Sequence, residues 1–337
     1  MLAGLALGFV TWCALVALQL GVPTTTSHWD AAALDRKAAL AARRDGPRLL
    51  VLAGSSGHYG INCGVFESQT GMPCANLAVH AGLGLRYEIH YAERIARAGD
   101  VLLVAFEYQV YGEDGEYDPV LVDYVMARDP NYLRTLSPPA LARFALSVDG
   151  ARLAQGLASR IAPPFAAPAD TTNPFSLDGD ELHSQTALRT PDMVAAVARA
   201  VPIHTLVTAG APTAYARSSL SSLAAWCRAH RVTLWATYPA TVRFAAYDSS
   251  AARSTLARVN ALYVSLGVPV LERPDDLFWP ADAFFNSGYH PTAEFAALRT
   301  RTLATRACAR RLPMAREGIE PPTRGFSDHA RRCAENR

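Results

Sequence analysis

Short apolar runs separated by glycine-rich or polar joins recur along the middle of this chain. RLLVLAGSSGHYG (48–60) is an apolar strand emptying into a Gly-Ser-Ser-Gly turn, PCANLAVHAGLGLRY (73–87) is a second short strand running into glycines, and GDVLLVAFEYQVY (99–111) is a third that ends in polar residues. Residues 119–160 read as mostly helical, and 161–190 (IAPPFAAPADTTNPFSLDGDELHSQTALRT) form a proline-rich, polar insertion or lid. Beyond it, a helix at 191–201 precedes a strand at 203–209, a helix at 216–230 precedes a strand at 231–239, and a helix at 250–266 precedes the strand VPVLE at 268–272. The Tyr238-Pro239 step ends its strand, since proline cannot donate to a ladder. Alternating strands and helices with short joins predict an α/β sandwich with a mostly parallel sheet and right-handed crossovers. Small or polar groups then collect at the carboxyl ends of successive strands, where such sheets build their sites.

The candidate chemistry lies at two of these ends. A serine, Ser55 or Ser56, follows the first strand, and DAFFNSGYHPTAEF (282–295) puts His290 just before a helix that begins at Pro291 or Thr292. A serine hydroxyl is a poor nucleophile until a base takes its proton, and imidazole suits that task near neutrality. The pair points to acyl transfer. The plainer alternative is an ordinary strand-to-helix turn, in which glycine supplies backbone freedom.

In these blocks the chain resembles the SGNH (GDSL-like) hydrolases over roughly residues 45–305, especially their membrane-anchored, extracytoplasmic branch linked to polysaccharide O-acylation. The resemblance implies a three-layer α/β/α sandwich. It favours Ser55, after Ala53-Gly54, as nucleophile, and Gly82 as donor of a backbone amide to the oxyanion, with Gly84 as the alternative. The family's third block carries an oxyanion-hole asparagine; here the strand ends in Phe106-Glu107-Tyr108, so that donor is replaced. Its last block is Asp-x-x-His. His290 fits the histidine, but Ser287 stands three residues before it and Asn286 four before, so Asn286 takes the orienting position with an amide in place of a carboxylate. Asp282, Asp275 and Asp276 are the alternative acids. Glu107, Tyr108 and His58 are the candidate substrate contacts, with a solvated loop position as the alternative for His58; His80 and His204 read as structural.

The first 22 residues hold no charged side chain and predict a transmembrane span or uncleaved signal anchor. The nearest basic residues, Arg36, Lys37, Arg43 and Arg44, follow the span, opposite to the usual bias, whereas the resemblance places the domain at 46–308 on the periplasmic side of a single-pass anchor joined by a linker at 23–45. Cys63 and Cys74 can close a small loop in an oxidising compartment, and Cys227 reads as a buried, inert helix residue. The tail, 309–337, has the prolines, glycines and arginines of a segment without a core, and REGIEPPTRGFS resembles the peptide of a reading frame run through a transfer-RNA gene.

With 337 residues, 50% of them hydrophobic, and a net charge of +2, the chain suits one large core and has no basic stripe for nucleic acid. Nothing reads as a Walker loop, a dinucleotide turn or a zinc cluster, so neither cofactor nor metal is expected. The expected activity is a serine-dependent O-acyl esterase or acyltransferase on an extracytoplasmic carbohydrate. The alternative is a catalytically degenerate relative that binds polysaccharide or scaffolds a membrane acyltransferase.

Overall fold

The structure, a computed structural model, describes residues 2–162, 175–208, 210–310 and 333. Four strands, β1 (Leu49–Leu52), β2 (Cys74–Asn76), β3 (Val101–Val104) and β4 (Thr233–Ala236), form a parallel sheet in the order β2-β1-β3-β4. Leu49 pairs with Cys74 on one side and Val101 on the other, and Val101 pairs in turn with Thr233. Every residue of LLVL in β1 and VLLV in β3 is buried. Successive side chains point to opposite faces, so both faces of the sheet are covered, as continuous apolar strands require. Leu49, Val51, Phe66, Val101, Leu103, Trp235 and Leu303 belong to the main core.

In chain order the helices are α1 (Leu2–Leu18), α2 (Thr26–Ala42), α3 (Ser55–Gly60), α4 (Cys63–Thr70), α5 (Leu85–Glu93), α6 (Pro119–Ala127), α7 (Pro138–Ser147), α8 (Gly150–Ile161), α9 (Pro191–Ala198), α10 (His204–Val207), α11 (Ala214–Ala229), α12 (Ser250–Ser265) and α13 (Ala293–Ala309). Their starts follow local chemistry. The side chains of Asn62, Thr190, Thr213 and Ser249 accept the amides of Val65, Met193, Ala216 and Ala252, which satisfies first-turn donors that have no partner inside the helix. Contacts divide the chain into two compact units: residues 1–35, 82–87 and 115–173, and residues 36–81, 88–114 and 174–337. The sheet lies in the second.

Several expectations change. Residues 204–207 are helical, because Ile203, Leu206 and Val207 recur at helical spacing and Leu206 is fully buried; residue 209 lies outside the described residues. VPVLE extends the sheet by a single bridge, Val270 to Ala236, where Pro269 offers its carbonyl to Ala236 but has no N–H to give. The small parallel pair β5 (Thr241–Val242) and β6 (Phe278–Trp279) is too short to leave a sequence pattern. The expected linker at 23–45 is largely α2, as its alanine-rich DAAALDRKAALAA favours.

Of the insertion, residues 163–174 lie outside the described residues; beyond them Phe175 bridges Glu181 in antiparallel fashion. In the tail, 311–332 and 334–337 also lie outside, but Cys333 is buried and bonded to Cys308 of α13, so this residue of the tail is tied down. Cys63 and Cys74 form a second disulfide, joining the starts of α4 and β2. Cys227 is buried, and burial, reinforced by the charge of Glu93, raises its thiol to about 12.

The N-terminal expectation also shifts. α1 has 17 residues, about 25 Å at 1.5 Å per residue against about 30 Å of hydrocarbon. No described helix is long and apolar enough to cross a membrane. The α1 helix instead gives its Trp12 indole N–H to the carbonyl of Ala145 at 2.7 Å, while Leu7, Val10 and Leu18 stay exposed.

Candidate active site

β1 ends at Leu52, and Ala53-Gly54 turns the chain directly into α3, whose first residue is Ser55. A Cβ on Gly54 would lie 2.5 Å from the amide nitrogen of Ala81, so only glycine fits between the two backbones. The two serines then part. Ser56 is buried, with its Oγ 3.4 Å from the Ala105 carbonyl, whereas Ser55 is half-buried and faces His290.

His290 is delivered by a chain reversal. The Phe285 amide donates to the His290 carbonyl at 2.7 Å, and the Thr292 amide donates to Ala283 at 2.9 Å. This fold-back brings Asn286 beside the imidazole, with Oδ1 2.7 Å from Nδ1, while Nε2 lies 2.9 Å from Ser55 Oγ. An amide oxygen only accepts, so Nδ1 carries the proton and the Nε2 lone pair faces the serine hydroxyl. The Tyr59 ring stacks on the imidazole at 4.1 Å and 8°. Ser55, His290 and Asn286 are therefore brought together in the order nucleophile, base, orienter.

Burial, followed by the charges of His58 and His80, lowers His290 to about 3 against the pull of Glu181. At neutral pH the ring is the neutral species that accepts a proton, but its imidazolium is costly to form.

The other candidates fall elsewhere. Glu107 is fully buried and cannot face substrate; its Oε1 accepts the Ser56 amide at 2.7 Å and its Oε2 the Gly54 amide at 3.1 Å, which pins the nucleophile turn. Burial raises its carboxyl, and the amide hydrogen bonds oppose that rise. Among the first amides of α3, Gly57 and His58 return to the Gly54 carbonyl, which leaves the Ser55 N–H without an acceptor among the described residues. Tyr108 is buried too, stacked on Tyr238 at 6.1 Å. His58 is neither a substrate contact nor a solvated loop residue: it is buried in α3 between Lys37 Nζ, 3.1 Å from Nδ1, and Glu181 Oε2, 3.2 Å from Nε2. Gly82 sits in a one-turn 3-10 helix, Ala81–Leu83. Asp282 is exposed, Asp276 pairs with Arg306 and Asp275 with Arg273, so none of these acids holds the imidazole.

Sequence reasoning missed the buried neighbours of the triad. Lys37, read as part of a basic flank, is 1% exposed and donates to the Ala78 carbonyl at 2.5 Å; burial lowers it to about 7 against the attraction of Asp180 and Glu181. Asp180 accepts the Gly64 amide and the Asn76 side-chain amide. Tyr59, four residues after Ser55 on one helix, was the only one whose spacing could have signalled it. Among the described residues no group of three or more His, Cys, Asp or Glu side chains is disposed to hold a metal ion.

No protein-family model, curated protein or solved structure matches this chain.

Proposed function

We propose that this chain is a serine-dependent O-acyl esterase or acyltransferase of the SGNH type, acting on an extracytoplasmic carbohydrate. The observation that carries this reading is the relay from Ser55 Oγ to His290 Nε2 and from His290 Nδ1 to Asn286 Oδ1. Ser55 Oγ attacks the acyl carbonyl as its proton passes to His290 Nε2. The tetrahedral oxyanion is met by the Ser55 amide. Collapse breaks the bond to the alkoxide, which leaves with the proton from His290. Water or a sugar hydroxyl then gives its proton to His290, attacks the acyl-serine and frees Ser55.

A three-layer α/β/α arrangement accords with a parallel sheet buried on both faces. Two disulfides favour an oxidising compartment outside the cytoplasm. Attachment to the membrane through α1, with its uncharged, partly exposed apolar surface, belongs to the same reading.

One pair of observations favours the second reading, a degenerate carbohydrate-binding protein or scaffold for a membrane acyltransferase. Asn286 carries no charge, and the third-block position is spent on Glu107. A fluorophosphonate probe separates the two. The first reading expects a covalent adduct on Ser55, located by mass spectrometry of the labelled peptide. An adduct on Ser56, or undiminished labelling of Ser55→Ala, removes the assignment, and no labelling at all leaves the second reading.

Asn286→Asp tests the orienting position. A carboxylate at Nδ1 stabilises imidazolium, and the acid of a serine triad is worth about four orders of magnitude in turnover. Hydrolysis of a simple acetyl ester should rise by at least about tenfold, a fraction of that range. Because a nearby negative charge favours the protonated ring, the acid limb of the pH–rate profile should also move upward from about 3. An unchanged rate and an unmoved limb would show that Asn286 is not where counter-charge is wanting.

A further inference from the structure

Asn286 holds the His290 ring without a charge, and among the described residues the other side-chain atom hydrogen-bonded to that ring is Ser55 Oγ. The buried charges of this region are taken up elsewhere. Lys37 Nζ lies 3.1 Å from His58 Nδ1 and donates to the Ala78 carbonyl, Glu181 Oε2 lies 3.2 Å from His58 Nε2, and Asp180 accepts the Gly64 and Asn76 amides. The cluster thus sets a cation among its carboxylates, and its hydrogen bonds run to His58 and to backbone, not to His290. What the ring does touch is a tyrosine. α3 carries Tyr59 four residues after Ser55, on the same side of the helix, and its ring lies over the imidazole with centroids 4.1 Å apart and planes 8° from parallel. Phe285, whose amide is bonded to the His290 carbonyl, stacks on the same tyrosine at 6.4 Å and 26°. Burial and the charge of Glu181 raise the Tyr59 hydroxyl to about 12, against a hydrogen bond with Asn286, so the ring is a neutral phenol at the pH of the reaction.

Neutral aromatic rings prefer to stand offset or edge-on, because both faces of such a pair carry the same negative charge. A cation over that face, within about 6 Å of its centroid, is attracted instead. The near-parallel contact of Tyr59 with His290 therefore gains little while the imidazole is neutral and more once it is imidazolium. An interaction that strengthens as the proton passes from Ser55 Oγ to His290 Nε2 lowers the barrier, whereas one equally strong before and after would not. We propose that Tyr59 is a positioning residue that presents its π-face to His290 and so stabilises the imidazolium which Asn286 cannot neutralise. A second consequence is geometric: the hydrogen bonds at Nδ1 and Nε2 leave the ring free to tilt about the line joining them, and the tyrosine face fixes that tilt. The proposal rests on the acyl-transfer reading above, since only a base that becomes positively charged gains from such a face.

The experiment uses the full chain and a fluorophosphonate probe, whose second-order labelling rate at Ser55 needs no knowledge of the substrate. Tyr59→Leu removes the π-face and should label about tenfold more slowly, the rate equivalent of a partly desolvated cation–π contact. Tyr59→Phe keeps the face and should stay within about threefold of the wild type, since only the hydroxyl is lost. In an Asn286→Asp background a carboxylate already meets the imidazolium, so there Tyr59→Leu should cost less than about threefold, a coupling between the two positions. A merely structural tyrosine would cost the same in both backgrounds. Where Tyr59→Leu does not fold, phenylalanine bearing one, two and then three ring fluorines is placed at position 59, which drains the negative face at nearly constant shape; labelling should fall with each fluorine. The inference is overturned if Tyr59→Leu labels at the wild-type rate, if Tyr59→Phe is as slow as Tyr59→Leu, if the cost is equal in the two backgrounds, or if the fluorinated series is flat. Absence of Ser55-dependent labelling in the wild type is a different outcome, which removes the acyl-transfer reading itself and this proposal with it.

Discussion

Ser55→Ala and His290→Ala are each expected to lower turnover of an activated acetyl ester by at least about a hundredfold, with the double variant no worse than either alone. The size comes from two known magnitudes for serine triads. Removing the nucleophile or the base costs about six orders of magnitude, and replacing the acid by asparagine costs about four. A triad that already carries asparagine starts from the lower level, so about two orders remain to be lost. The absence of further loss in the double variant follows from one proton passing between Ser55 Oγ and His290 Nε2, 2.9 Å apart: once either end is gone, the other has no partner. Additive losses would show that the two act separately, and a Ser55→Ala enzyme as active as the wild type would dismiss the serine mechanism.

What could be read in advance from the sequence has a common physical basis. β1 and β3 were legible because a strand buried on both faces is a continuous apolar run, and Gly54 because a strand that turns at once into a helix needs room beside it. His290 was legible from its place just before a helix, whereas Asn286 came only from the resemblance to the family's last block, with Asp282, Asp275 and Asp276 left open beside it. What stayed hidden depends on burial and on distant partners. Glu107 has the same side chain whether it meets substrate or ties down amides; only the approach of β1 and β3 decides, and that brings it to residues more than fifty positions away. Lys37 and Glu181 meet around His58 from segments separated by well over a hundred residues, so neither carries a local pattern. α10 was mistaken for a strand because four to seven apolar-rich residues fit either period, and packing, with Leu206 inward, settles it.

The largest effect on stability is expected where β1 begins. Arg48 is fully buried and Asp100 is 1% exposed; the guanidinium Nε lies 3.1 Å from Asp100 Oδ1 and one terminal nitrogen 2.5 Å from Oδ2, while its remaining donors reach the carbonyls of Ala41 and Ile95. Asp100 also accepts the amides of Arg48 and Arg97. These bonds join the residues just before β1 and β3, so they hold the register in which Leu49 faces Val101 and, through β1, the place where Ser55 is presented. Asp100→Ala leaves a guanidinium without counter-charge in the interior, a change that costs about 3–5 kcal/mol. Asp248→Ala, which breaks the exposed Arg243–Asp248 pair with side chains 47% and 63% accessible, should cost no more than about 1 kcal/mol. Urea unfolding of the two variants makes the comparison, read as a shift in midpoint at constant slope. Replacing both partners together, as Arg48→Met with Asp100→Leu, should recover much of the loss, since the penalty lies in the orphaned charge more than in the missing attraction. If Asp100→Ala unfolds no earlier than Asp248→Ala, the pair does not hold the register, and the position of Ser55 must be secured by Glu107 and the covered sheet alone.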